Sequence, residues 1–267
     1  MKKYISFFGL RLNMGLQYRV AAAAGIVTQF VWGFMECFVF RAFYETNPAA
    51  FPMEFKAMVS YIWLQQAFLA FFATWMMDND IFDSILSGNI AYELCRPVSI
   101  YNMWFAKNAA TRISRALLRC MPILIVAFIL PEPFKMTLPK NILTFIVFMF
   151  TLALGLGVTI AFCMLVYIIS FFTVSPQGVR IFFTSLVEFF CGAIVPIPFL
   201  PKPLKSIVEL LPFAGMQNVP LRIYGGDIYG EELTRAVLLQ TVWFVLLVLI
   251  GRGLCKIAEK KIVVQGG

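Results

Sequence analysis

Six polar side chains interrupt otherwise apolar stretches of this sequence, and they are the first candidates for chemistry. A carboxyl or amide group placed among apolar helices is costly, so it usually faces other helices or a water-filled path. Carboxyl groups in such positions can carry protons, whereas amide groups mainly form hydrogen bonds between helices. The candidates are Gln29, Glu36, Gln65, Gln66, Glu188 and Gln240.

Two groups of these candidates each allow two interpretations. Gln29 and Glu36 share a helical face with Trp32, because spacings of three and four return to the same side of a helix. That face either lines a substrate path or forms hydrogen bonds between helices, and we favour the second because Glu36 lies near the end of its apolar run. Gln65 and Gln66 leave the same two interpretations open.

Glu188 lies about halfway along its apolar run and has no basic residue within that run. One interpretation is a proton-carrying group for transport. The other, which we favour, is a protonated or paired acid between helices.

Other familiar catalytic groups are missing from the sequence. It contains no histidine, which removes the commonest general base and the commonest metal ligand. The patterns GxxxxGK[ST], GxSxG and HExxH do not occur, so no nucleotide-phosphate loop, serine nucleophile elbow or zinc-protease helix is indicated. We expect no catalytic, cofactor-binding or metal-binding residue in this chain; if ATP drives it, ATP and Mg²⁺ bind to another chain.

The composition indicates a membrane protein. Of the 267 residues 61% are hydrophobic and 13% are charged, and the mean hydropathy is +0.83, whereas soluble domains are about half apolar and a quarter charged. The formal charge of +8 is not gathered in a basic tract. Because the basic residues lie at the ends of apolar runs, they favour a role in membrane topology, and we expect no nucleic-acid partner.

The apolar runs predict an all-α integral membrane protein with six transmembrane helices. Residues 1–19 are expected to form an interfacial helix, because apolar residues share one helical face and the basic residues lie on the other side. The third span is short and requires Arg115 and Arg119 to extend toward the lipid headgroups. The six spans are predicted at about 20–40, 57–77, 116–130, 142–172, 179–195 and 236–254.

The distribution of basic residues predicts that both termini are cytoplasmic. With that orientation 14 of the 22 basic residues lie in cytoplasmic segments. Three others lie in the long segment 196–230 and Arg235 lies just after it, where charge bias has little force. That segment is rich in proline but too apolar for a solvated loop, so we expect broken, re-entrant outer helices packed against protein.

Several motifs resemble those of ABC-2-type permeases of a bacterial family. Residues 85–97 fit the pattern IxxGxIAxxLxRP. Further similarity covers most of the chain. It is carried by 196–198, 211–213, Pro220, 223–226, Gln240, Trp243 and the closing Val-Val-Gln-Gly-Gly of 263–267.

The resemblance implies a permease with an elbow helix, re-entrant outer helices and a cytoplasmic coupling segment at 78–101 that docks on an ATPase. It also implies a bacterial cytoplasmic membrane, two ATPase subunits, and a second copy or a related permease beside this chain. The implied ATPase-coupling residues are Ile85, Gly88, Glu93, Arg96 and Pro97, with Glu93 and Arg96 as docking or bracing charges. Glu188 is not part of the family pattern.

The residues of the coupling segment favour a short helix. Asp80 is expected to cap it, Gly88 to terminate it and Pro97 to restrain the exit. A plain interfacial turn with ordinary cap residues is the alternative.

We expect residues 1–267 to form a single transmembrane domain. Two functions remain for it: the permease of an ATP-driven ABC exporter, or a proton- or ion-coupled carrier that acts alone. A membrane scaffold is a more distant third. The substrate is not indicated, because a fold does not name its cargo.

Overall fold

The computed structural model describes residues 1–173 and 175–261, and every regular element in this part is helical. The closing motif at 263–267 lies outside the described residues. The α-helices are α1 Lys2–Leu16, α2 Arg19–Thr46, α3 Phe55–Ala67, α4 Leu69–Phe72, α5 Asn79–Leu86, α6 Ile90–Leu94, α7 Ile100–Ile129, α8 Ile142–Ser170, α9 Pro176–Phe190, α10 Lys202–Leu210, α11 Pro212–Met216, α12 Asn218–Gly225 and α13 Gly230–Lys261.

Three described helices, α2, α8 and α13, are long and apolar enough to cross a membrane. They correspond to the first, fourth and sixth predicted spans. The fourth was expected to be one long helix, and α8 is continuous over 29 residues. At 1.5 Å per residue each of the three exceeds the roughly 30 Å hydrocarbon core.

α8 is the centre of the bundle. In its most apolar stretch 72% of the residues are buried, compared with 22% in α2 and 11% in α13. It packs against α13, α12, α11, α7 and α9. Gly155 allows the closest approach, because a Cβ added there would meet the backbone carbonyls of Gly215 and Met216 in α11.

The second predicted span is not one continuous helix. α3 ends at Ala67, α4 ends at Phe72, and residues 73–78 are not helical. The physical reason lies in α7, whose Arg112 side chain bonds the carbonyl groups released where α4 ends. Helices in membranes break where another group satisfies their backbone.

The third and fifth spans also differ in length from the prediction. The apolar run 116–130 is the second half of α7, which begins at Ile100 and extends over 30 residues. α9 has only 15 residues, or about 22 Å at 1.5 Å per residue, which is shorter than the hydrocarbon core. The three shorter or interrupted elements leave the count of six spans as an expectation.

The proline-rich segment 196–230 forms broken helices, as predicted. Three short helices, α10 to α12, follow one another and are separated by single residues, Leu211 and Gln217. Every residue of α11 is buried, and residues 218–224 of α12 are buried too. α11 and α12 pack against α8, and α12 also packs against α3.

The bundle has two ends. We call residues 1–19, 76–105 and 249–261 the basal end, and residues 47–56, 131–141, 192–211 and 222–235 the distal end. One hydrophobic core extends from the centre to the basal end and includes Phe82, Trp104 and Tyr167. A second extends to the distal end and includes Trp63 and Tyr224.

Candidate functional site

The coupling segment begins with a capped helix at the basal end. The Asp78 side chain accepts a hydrogen bond from the backbone N–H of Asp80 at 3.0 Å and caps α5. The expectation that Asp80 is the cap is therefore wrong: Asp80 lies in the first turn, where its charge favours the positive end of the helix dipole. The hydroxyl of Tyr167 holds Asp78 in the cap position, because it accepts a hydrogen bond from the Asp78 N–H at 2.6 Å.

Gly88 ends α5, as the sequence predicts. Its φ is +74°, a left-handed conformation that glycine adopts without steric cost, and its N–H donates to the Ile85 carbonyl at 3.4 Å. No heavy atom lies within 4 Å of a Cβ added at Gly88. Its conformation, and not crowding, therefore requires glycine.

One face of the α5–α6 pair anchors the segment to the bundle. Ile81, Phe82 and Ile90 are buried in the basal core, and Ile85 packs partly against it. Glu93 accepts a hydrogen bond from the Trp104 indole N–H at 2.7 Å. Of the predicted coupling residues, Ile85 and Glu93 thus lie where they brace the segment.

The opposite face is open. Leu86 is 62% and Tyr92 is 74% exposed, and Arg96 and Pro97 are exposed beside them. We call Leu86, Tyr92, Arg96 and Pro97 the coupling surface. Leu86 and Tyr92 were not selected from the sequence, because in an apolar chain only their position on the helix, one residue away from the partly buried Ile85 and Ala91, distinguishes them.

Two further helices hold the segment through basic side chains that the sequence analysis did not select. Lys107 of α7 forms ion pairs with Asp78 at 2.7 Å and Asp80 at 3.2 Å. Arg180 of α9 donates to the Asn79 side chain at 2.6 Å and lies over the ring of Phe82. The segment is therefore attached to α7, α8 and α9.

The interfacial helix contacts the exit of the segment. Lys3 donates a hydrogen bond to the carbonyl of Pro97, and the Ser99 N–H donates to the Tyr4 hydroxyl at 2.9 Å. That N–H lowers the pKa of Tyr4, because it stabilises the phenolate. α1 also packs along α7, so it links the coupling segment to a long helix.

Arg112 is the most deeply buried cation of this region, with 2% of its surface exposed. One terminal nitrogen, Nη1, donates to the carbonyls of Ala70 at 3.0 Å, Phe71 at 3.3 Å and Ala73 at 2.9 Å. The other, Nη2, lies 3.4 Å from the Cys163 sulfur. Arg112 therefore joins α7, α8 and the broken end of the second span.

Three of the six polar candidates come together in one network. Glu36 accepts hydrogen bonds from the side-chain amides of Gln65 at 3.5 Å and Gln66 at 3.4 Å. Gln65 also donates to the Ala193 carbonyl at 3.0 Å and accepts from the Gln217 amide at 2.9 Å. The network connects α2 and α3 with the turn after α9 and the residue before α12.

The remaining three candidates lie apart from this network. Gln29 is buried, and in the described part of the chain its Oε1 has no partner. Glu188 is partly buried on α9 and forms no ion pair within the described residues. Gln240 donates to the carbonyls of Thr151 and Gly215, both at 2.8 Å, and so joins α13 to α8 and α11.

Among residues 1–173 and 175–261, no cluster of three acidic or cysteine side chains is arranged to hold a metal ion.

The comparisons with known proteins agree with this helical architecture. The family model described as ABC-2 family transporter protein matches residues 30–266. No curated protein matches the chain. The matched range includes the coupling segment, the polar network and the broken distal helices, and the chain belongs to the ABC-2 family of transporter proteins.

Proposed function

We propose that this chain is the permease subunit of an ATP-driven exporter and that residues 78–101 couple it to a separate ATPase. The coupling surface is the observation that carries the proposal. Leu86 and Tyr92 are large, apolar and exposed at the basal end, while the same segment is braced from behind by Glu93. A short helix that presents apolar side chains from a rigid support suits a groove on another protein.

The attachments behind the coupling surface support a role in transmitting movement. A displacement of α5 acts on α7 through Lys107 and on α9 through Arg180. It acts on α8 through Tyr167. A docked ATPase would therefore move three helices of the bundle at once.

A six-span topology with cytoplasmic termini suits this arrangement. α2, α8 and α13 supply three crossings, α7 supplies the fourth, and α3 with α4 and α9 with the following turns supply the shorter ones. α1 then lies on the cytoplasmic face of a bacterial membrane, and α10 to α12 form the re-entrant outer segment. Arg11, Lys107 and Arg252 all lie toward the cytoplasmic side in this orientation.

The exposed face of α2 supports assembly with a second permease, either identical or related. Val31, Trp32, Met35 and Phe38 are exposed along it. A distal cavity of about 560 Å³ opens on the same face, lined by Glu36, Phe40 and Phe199 among others. Pairing of two α2 faces would place two such cavities along one path, with the polar network of Glu36 beside it.

An ion-coupled carrier is the second candidate, and the Glu36 network is the observation in its favour. A carboxyl group held by two amides inside the bundle could carry a proton. The two functions separate in liposomes that contain the purified permease alone. Uptake driven by a proton gradient, abolished by Glu36→Gln, would support the carrier and contradict the exporter.

Substitution of the coupling surface tests the exporter directly. The tagged permease is purified from its native cells in mild detergent, and ATP hydrolysis is measured in the eluate. We expect Tyr92→Glu to reduce the co-purified ATPase activity about tenfold, since a buried charge at an interface costs more than 1.4 kcal/mol. Tyr229→Glu is the matched control, because Tyr229 is 75% exposed at the distal end. Equal ATPase activity in the two variants would refute the proposal.

A further inference from the structure

A basic cavity lies between the interfacial helix and the bundle. Its volume is about 520 Å³, and its walls come from α1, the start of α2, residues 76–80 and the middle of α7, from Lys107 to Arg119. It is separate from the coupling surface and from the Glu36 network. Five basic side chains line it: Arg11, Lys107, Arg112, Arg115 and Arg119.

The positive charge of this cavity is not balanced by the protein. Its two carboxylates, Asp78 and Asp80, both pair with Lys107. The four arginines form no ion pair with a carboxylate among the described residues. Like charges held close together are unfavourable unless an anion joins them.

Two of the arginines also have unused donors. Arg112 Nε and Arg119 Nε are buried and have no hydrogen-bond partner in the described part of the chain. Arg112 is 98% buried, and its terminal nitrogens already have partners, Nη1 the carbonyls of α4 and the following turn and Nη2 the Cys163 sulfur. The Arg119 guanidinium lies against Gly25 of α2, where a Cβ would come within 2.5 Å of its central carbon. A buried N–H without a partner is costly, so these donors favour a ligand that accepts hydrogen bonds.

The cavity is also amphipathic. Apolar side chains line it beside the arginines, including Met14, Tyr18 and Leu118. Beside Ser114 and Leu118, which line the cavity, Leu117, Met121 and Ile125 form an exposed apolar stripe on α7 at spacings of four. The cavity therefore lies at the boundary between a polar end and a surface that contacts acyl chains.

We propose that this cavity binds the phosphate headgroup of an anionic phospholipid, with the acyl chains along the α7 stripe. Arginine suits phosphate because its planar fork matches the phosphate oxygens. Free phosphate shares this chemistry but has no part that would contact Met14, Tyr18 and the α7 stripe. The bound headgroup bridges α1 and α7 and neutralises the arginines beside Asp78 and Asp80, where the coupling segment begins.

The test measures lipid binding by the full-length protein in neutral detergent, from the thermal midpoint as a function of lipid concentration. The probes are short-chain phosphatidylglycerol, phosphatidylcholine of the same chain length, and inorganic phosphate. We expect phosphatidylglycerol to raise the midpoint at concentrations at least tenfold lower than the other two probes. Equal responses to phosphatidylglycerol and phosphatidylcholine would overturn the proposal, and an equal response to inorganic phosphate would replace the lipid by a free anion.

Variants locate the binding site. Arg115→Gln and Arg119→Gln should each weaken phosphatidylglycerol binding about tenfold, which corresponds to about 1.4 kcal/mol. Arg19→Gln is the control, because Arg19 is exposed at the same end but does not line the cavity. Arg115 is exposed and is repelled by the neighbouring arginines, so its substitution should not lower the midpoint measured without lipid. The same loss of affinity in all three variants would show general surface attraction and would refute a defined site.

Discussion

The two ends of the molecule differ in whether a buried arginine is neutralised by carboxylates. At the distal end, Arg222 forms ion pairs with Asp227 at 2.5 Å, Glu209 at 3.3 Å and Glu232 at 3.5 Å. At the basal end, the partners of Arg112 among the described residues are carbonyl groups and a sulfur. The distal arrangement is complete in itself, whereas the basal one leaves charge available for a ligand.

The largest effect is expected when the distal arrangement is broken. Arg222→Met removes the cation that α10, α12 and the start of α13 share, and it leaves carboxylates without a partner. We expect a loss of about 3 kcal/mol in the free energy of unfolding in detergent, since breaking a buried ion pair costs that much or more. Arg235→Met is the control, because Arg235 is exposed at the same end and should change stability by less than about 0.5 kcal/mol. Similar values for both variants would remove the contrast between the two ends.

A smaller loss is expected at the basal end. Arg112→Met leaves the carbonyls of Ala70 and Ala73 without donors but also removes a charge from a crowded positive cavity. We expect a net loss of about 2 kcal/mol, because unsatisfied buried polar groups cost about 1–3 kcal/mol each and the relief of repulsion offsets part of this. Unfolding in detergent measures it. A gain in stability would mean that repulsion in the cavity outweighs the bonds to the broken helix.

The smallest effect concerns two of the four described glycines that have a positive φ. Gly88→Ala at the basal end and Gly226→Ala at the distal end each place alanine at a φ near +75°. We expect each to cost about 1 kcal/mol of stability. A Cβ at Gly226 would also meet the flexible end of Lys140, which can move aside.

Function should separate these two glycine variants. Under the proposed coupling, only Gly88→Ala lowers ATP-dependent export, because only Gly88 sets the angle between α5 and α6. Export measured in membrane vesicles checks this. A loss in Gly226→Ala as large as in Gly88→Ala would show that export follows stability and not the coupling segment.

The long elements could be predicted from sequence because their signal is local. α8 agrees with its predicted span, 142–172, since an uninterrupted apolar run determines a helix by itself. The end of α5 at Gly88 is local too, because a left-handed cap residue needs no distant partner.

The interruptions could not be predicted in the same way because they depend on distant partners. The break after Phe72 requires Arg112, which is 40 residues further along the chain. The choice of Asp78 over Asp80 as a cap depends on Tyr167, 89 residues away. A sequence pattern contains both aspartates but not the hydroxyl that selects between them.

The candidate site shows the same division. Residues 85–97 were selected by a motif, and the coupling segment contains the short helix expected of it, α5, followed by a second one, α6, that was not expected. The residues that brace it, Lys107 and Arg180, belong to other helices and have no motif of their own. Gln65 and Gln66 were selected as polar residues, but their meeting with Gln217 depends on the fold of the distal segment.

Residues 73–78, which connect α4 to α5, are not helical, so the backbone can bend there. A continuous helix would instead transmit a push on α5 directly along the backbone into α3. Because this connection can bend, a push on α5 under the proposed coupling passes sideways, through Tyr167 into α8, through Lys107 into α7 and through Arg180 into α9. These three helices would then start to move before α3 does, and the second span would move last.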